Sequence, residues 1–207
     1  MKSKLFFFLL CGSLILCSCK KIKTDALGGS QSPIGIVGAT VTSSSTAISG
    51  VSSISGTVTS LSDGVSTFNG SAVITNTTIK NILANYAPAV ISGNNVSITG
   101  VKVKFTSEGI ESIAPLEPGV IVNFSSKVGD TYPCGTGKRT VTSISTADDF
   151  PWGGMYIKVM KVEETPNKLG VKKIIYFSNH HWGLVAVEFT FDDNSVARFP
   201  VISSASN

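Results

Sequence analysis

The chain has 207 residues, 42% hydrophobic and only 14% charged, with 17 Lys+Arg against 13 Asp+Glu and two His. Its apolar content excludes a disordered, collagen-like or coiled-coil chain. The one long apolar run, Leu5 to Leu16, falls short of the roughly 20 residues that a membrane-spanning helix needs.

At the N-terminus, Lys2 and Lys4 precede that apolar run, the basic and hydrophobic regions of a secretory leader. It closes on Leu16-Cys17-Ser18-Cys19-Lys20-Lys21. A small residue before a cysteine at the end of an apolar run resembles the lipobox of bacterial lipoproteins. The Cys-Ser-Cys-Lys-Lys ending is similar to lipoprotein leaders of the Bacteroidetes. That resemblance implies cleavage before Cys19, leaving residues 1–18 as signal peptide, and lipidation of Cys19 with palmitate-like chains. Two or more such chains anchor stably where one holds marginally. It further implies an outer-membrane lipoprotein of the cell envelope, attached to the membrane through its N-terminal lipid, on either the periplasmic or the surface side. Cys17 lacks the small residue expected just before a lipidated cysteine.

Without the leader, residues 19–207 hold 15 Lys+Arg and 13 Asp+Glu, too balanced for a nucleic-acid footprint, so no nucleic-acid partner is expected. Cys134 becomes the sole free thiol, which excludes an intramolecular disulfide. The two histidines lie far from it in sequence, so no activating base is evident, and Pro133-Cys134-Gly135 reads as a turn.

Residues 19–35 read as a lipid-anchored tether and residues 36–88 as a low-charge Ser/Thr/Gly-rich segment. Asp63 is the only charged side chain of residues 26–79, against 23 in residues 80–207. From Thr40 to Ser62, 14 of 23 residues are Ser or Thr. Such a stretch supports two readings, a flexible stalk or loosely ordered β structure. Near residues 78–86, Ile79, Ile82, Leu83 and Tyr86 at i, i+3, i+4 and i+7 predict one short helix, capped by Thr77 or Thr78 and ended by Ala87-Pro88.

Residues 89–203 read as an antiparallel β domain. Val101, Val103 and Phe105 alternate with Lys102 and Lys104, setting apolar and charged faces apart. Strands follow at Gly119 to Phe124, Lys138 to Thr146, Met155 to Glu164, Val171 to Ser178 and Trp182 to Phe191. In the last of these, Val185, Val187, Phe189 and Phe191 are expected on one face. Asp192-Asp193-Asn194-Ser195 predicts a tight turn with Asn194 at φ > 0, and Val196 to Ile202 returns. The predicted class is mainly β: an antiparallel curved sheet, sandwich or barrel, with one short helix. Val128-Gly129-Asp130-Thr131-Tyr132, then Ile175-Tyr176-Phe177-Ser178-Asn179 and Gly183-Leu184-Val185, resemble the C-terminal meander of uncharacterised bacterial envelope lipoproteins. The likeness implies a curved β architecture comparable to periplasmic lipoprotein carriers and brings no catalytic residues.

Two clusters are candidates for chemistry. The loop from Asp148 to Gly154 places Phe150 and Trp152 beside Asp148 and Asp149, an aromatic platform with hydrogen-bond acceptors that suits a sugar or peptide. Trp152 capping the core is the alternative. His180-His181-Trp182 would ligate a metal only from a loop or bulge, because adjacent strand residues point apart; a His-Trp turn packed on the sheet is the simpler reading, and no metal site or cofactor is expected. Gly135-Thr136-Gly137-Lys138-Arg139-Thr140 departs from a phosphate loop, with Tyr132 and Arg139 where Gly and Ser or Thr belong. The candidate ligand-binding residues are therefore Asp148, Asp149, Phe150, Trp152, His181 and Trp182, and no catalytic residue is assigned. The leading expectation is a non-catalytic lipid-anchored envelope protein that binds an envelope component, glycan or protein. A carrier or sensor of a hydrophobic ligand in a curved-sheet cavity is the alternative, and an envelope hydrolase using His181 with Asp149 or Cys134 the third.

Overall fold

The computed structural model describes residues 27–43, 48–86, 89–115, 117–135, 137–166 and 170–205. The expected leader, residues 1–18, and the expected lipidation site Cys19 lie outside the described residues. The chain is mainly antiparallel β with one helix.

The Ser/Thr-rich half is sheet. Strands β1 (Thr40–Ser43), β2 (Val51–Ser62) and β3 (Val65–Ile74) are followed by helix α1 (Thr77–Tyr86), β4 (Ala89–Ser92), β5 (Asn95–Thr106), β6 (Gly109–Ala114) and β7 (Gly119–Asn123). With the last strand, β16 (Ile202–Ser204), they form the eight-stranded sheet A, which curls into a half-barrel. Thr and Val suit its pleated surface. Asp63 and Gly64, both at positive φ, make the tight β2–β3 hairpin that an Asp-Gly pair favours. Gly56 must be glycine because a Cβ there would collide with the Phe68 ring across the strand pair.

The residue that caps helix α1 is Asn76, one position before the expected Thr77 or Thr78. The Asn76 side chain accepts the Ile79 N–H at 3.1 Å, the donor that an N-cap satisfies. Ile79 and Leu83 then pack on Val51, Ile74 and Val96.

Residues 27–35, expected as tether, are instead laid on the domain. Leu27 is buried and its N–H donates to Glu111, while Lys104 donates to its carbonyl. Ser32 N–H donates to the Phe105 carbonyl. This cover explains why the outward Lys104 is only half-exposed, whereas Lys102 is open to solvent. The Pro33–Gly35 turn then carries Ile34 against Gly183, where any side chain would collide with it.

Sheet B comprises β8 (Thr131–Cys134), β9 (Gly137–Ile144), β12 (Met160–Glu164), β13 (Val171–Asn179), β14 (Gly183–Phe191) and β15 (Val196–Pro200). Between β9 and β12 the hairpin β10 (Phe150–Trp152) and β11 (Met155–Ile157) stands apart. The expected strand from Met155 to Glu164 thus breaks into two. The turn after β14 holds Asn194 at φ 65°, as expected. One core, including Val101, Val103, Ile110, Val122, Val141 and Val162, joins both sheets.

The expected single face for Val185, Val187, Phe189 and Phe191 does not form. The β13–β14 register slips, so that Phe177 pairs with Ala186 and Ser178 with Leu184, leaving Val185 as the extra residue of a bulge. A bulge re-aims the side chains beyond it. Val185 therefore joins the outer cluster around Trp152, while Phe189 lines the space between the sheets.

Candidate functional site

Sheet B has two apolar faces, and of the sequence candidates Phe150, Trp152 and Trp182 pack on the outer one. Trp152 is 7% exposed, donates its indole N–H to the Val201 carbonyl at 2.7 Å and packs on Trp182 with ring centroids 5.0 Å apart. Phe150 stacks on Phe177 at 5.1 Å. The hairpin is therefore a plug over Phe177, Val185 and Ala186. It does not offer Trp152 as an exposed platform, although Met155 and Tyr156 at its tip are exposed. Asp148 and Asp149 are exposed, and Asp149 accepts a hydrogen bond from Ser145. His180 and His181 are exposed in the β13–β14 turn, held by the Asn179 carboxamide oxygen accepting from the His181 and Trp182 N–H groups. His181 packs edge-on against Trp182 at 4.5 Å. Among the described residues, no three His, Cys, Asp or Glu side chains converge as a metal would require, and no helix is long and apolar enough to cross a membrane.

The inner face lines a partly open cavity of about 490 Å³. Sheet A contributes Phe68, Val101, Val103, Phe105 and Ile110; sheet B contributes Ile174, Leu184 and Phe189. The volume falls within the roughly 300–1,000 Å³ typical of small-molecule sites. None of the described lining residues comes from α1, so the cavity lies between two sheets. Of the six sequence candidates, only Trp182 lines it.

A polar pole interrupts this apolar wall. Arg139 and Glu164 are direct cross-strand partners on β9 and β12. Arg139 is 2% exposed; its Nε donates to Glu164 Oε2 at 2.7 Å, and Nη1 donates to the Gly119 and Val120 carbonyls at 3.1 Å each. Tyr176 donates its hydroxyl to the same carboxylate oxygen at 2.9 Å. Burial, reinforced by the Glu164 charge, pushes the Tyr176 phenol far above the ordinary tyrosine range. Burial likewise raises the Cys134 thiol, against an opposing pull from Arg139. A thiol held protonated is a poor nucleophile.

Sequence reasoning missed this pole although its signal is present. Glu164 falls in phase with Met160 and Val162, and Arg139 with Val141, all on buried positions of alternating strands. Opposite charges in register with buried aliphatics mark an internal ion pair. No protein-family model matches the chain, and neither a curated protein nor a solved structure does.

Proposed function

We propose that this protein is a non-catalytic, lipid-anchored envelope carrier or sensor that binds a hydrophobic molecule in the cavity between its two sheets. The cavity is the observation that supports this reading. A fully enclosed dry void of 490 Å³ would cost about 12 kcal/mol at roughly 24 cal/mol per Å³, comparable to the whole stability of a domain, about 5–15 kcal/mol. The opening to solvent relieves that cost, but water entering finds few polar partners on the wall. An apolar occupant satisfies the same surface. Support for the anchor comes from the run closing at Ser18-Cys19. The alternative of a glycan or protein bound on the Trp152 loop is less well supported, because that ring and its N–H are committed to packing.

Binding of the uncharged dye N-phenylnaphthylamine to the chain lacking residues 1–18 tests the reading. Fluorescence enhancement is expected to saturate with the unsubstituted chain. Val103→Phe, which places a ring in the cavity, is expected to weaken it by at least about tenfold, and Tyr156→Ala at the exposed tip to leave it unchanged. Saturable binding that survives Val103→Phe and disappears with Tyr156→Ala would transfer the site to the outer face.

A further inference from the structure

The polar pole narrows what the cavity accepts. Ser112 on β6 shares the inward face with Ile110 and lines the cavity; it is 3% exposed, yet its hydroxyl has no hydrogen-bond partner. Buried hydroxyls are almost always paired. The β6–β7 register sets Ser112 opposite Gly119, whose carbonyl accepts from Arg139. An unused donor and acceptor therefore stands beside the buried ion pair, at the edge of an apolar wall.

The ion pair itself offers no place for an anion. Arg139 is occupied by Glu164 and by the carbonyls of Glu117, Gly119 and Val120. It is the only cation among the described lining residues, which also include two carboxylates, Glu117 and Glu164. A fatty acid or phosphate ester would lose its hydration for a wall whose formal charge is already negative. An ammonium group would have to displace the partners that Glu164 and Glu117 already hold.

We infer that the ligand is an uncharged, hydroxyl-bearing amphiphile whose head group pairs with the free Ser112 hydroxyl while its hydrocarbon fills the inter-sheet cavity. This rests on the cavity being the binding site. Long-chain alcohols, monoacylglycerols and hydroxylated polycyclic lipids share that chemistry.

The test is displacement of N-phenylnaphthylamine by three molecules of equal chain length: a medium-chain primary alcohol, its carboxylic acid at neutral pH and the hydrocarbon. The alcohol is expected to bind about tenfold or more tightly than the acid. Ser112→Ala is expected to weaken the alcohol roughly two- to tenfold, the span of one net hydrogen bond, and to leave the hydrocarbon unchanged. An acid that binds more tightly than the alcohol, or a Ser112→Ala variant that weakens alcohol and hydrocarbon alike, overturns the assignment while the cavity reading stands. Absence of saturable binding by the dye and by all three molecules overturns both.

Discussion

The two faces of sheet B use the same residue types to opposite ends. On the outer face, Trp152 of the β10–β11 hairpin packs on Trp182 and Phe150 of the same hairpin on Phe177, each pair with ring centroids about 5 Å apart. On the inner face, Ile174, Leu184 and Phe189 look across to sheet A and leave a cavity of about 490 Å³ between. The difference lies in what covers each face. A short hairpin can settle directly onto a flat surface, whereas the curl of sheet A holds its own wall away from sheet B. The outer face is therefore filled, whereas the inner face keeps a cavity although Phe68, Phe105 and Phe189 stand among its aliphatic lining residues.

The largest expected effect concerns the inner face. Glu164→Ala leaves the Arg139 guanidinium buried and unpaired, and should destabilise the protein by about 3–5 kcal/mol, read as a lowered urea midpoint. A loss under about 1 kcal/mol would show that Arg139 finds water at the cavity and that the pole is wetter than its burial indicates.

Trp152→Ala should cost nearly as much, about 3 kcal/mol, through the outer cluster. Dye binding by the folded fraction should persist, because Trp152 does not line the cavity. Loss of binding together with stability would erase the separation between the faces.

The smallest effect appears in alkali. The buried Tyr176 phenol keeps its proton above the ordinary range, so on raising pH past about 10 the unfolded chain releases that proton first. Binding fewer protons then favours the unfolded state, and stability falls by at most about 1.4 kcal/mol per pH unit per group. Tyr176→Phe should make this decline shallower, as measured by denaturation across the alkaline range. It should not remove it, because burial also raises Tyr132. An identical slope in the variant would place Tyr176 in contact with solvent.

The sequence made the strands readable wherever one face is buried and the other wet. Val101-Lys102-Val103 alternates because β5 carries the cavity wall on one side. The Ser/Thr stretch was ambiguous because short polar side chains are tolerated in both stalks and sheets. Its assignment rests on partners distant in sequence: β1 pairs with β16 across more than 150 residues, Thr40 with Ser204. Val185 was misplaced because a single-residue bulge is invisible to a period-two pattern.

Local composition alone determined the β class, the helix at Ile79 to Leu83 and the turn at Asn194, since each depends on neighbours within a few residues. Only the tertiary structure decided that the aromatic loop is a plug, that Arg139 and Glu164 meet, and that the sheets enclose a cavity with a free Ser112 hydroxyl. A cavity is the volume that side chains leave unfilled when curved sheets come together, and no residue encodes it by itself.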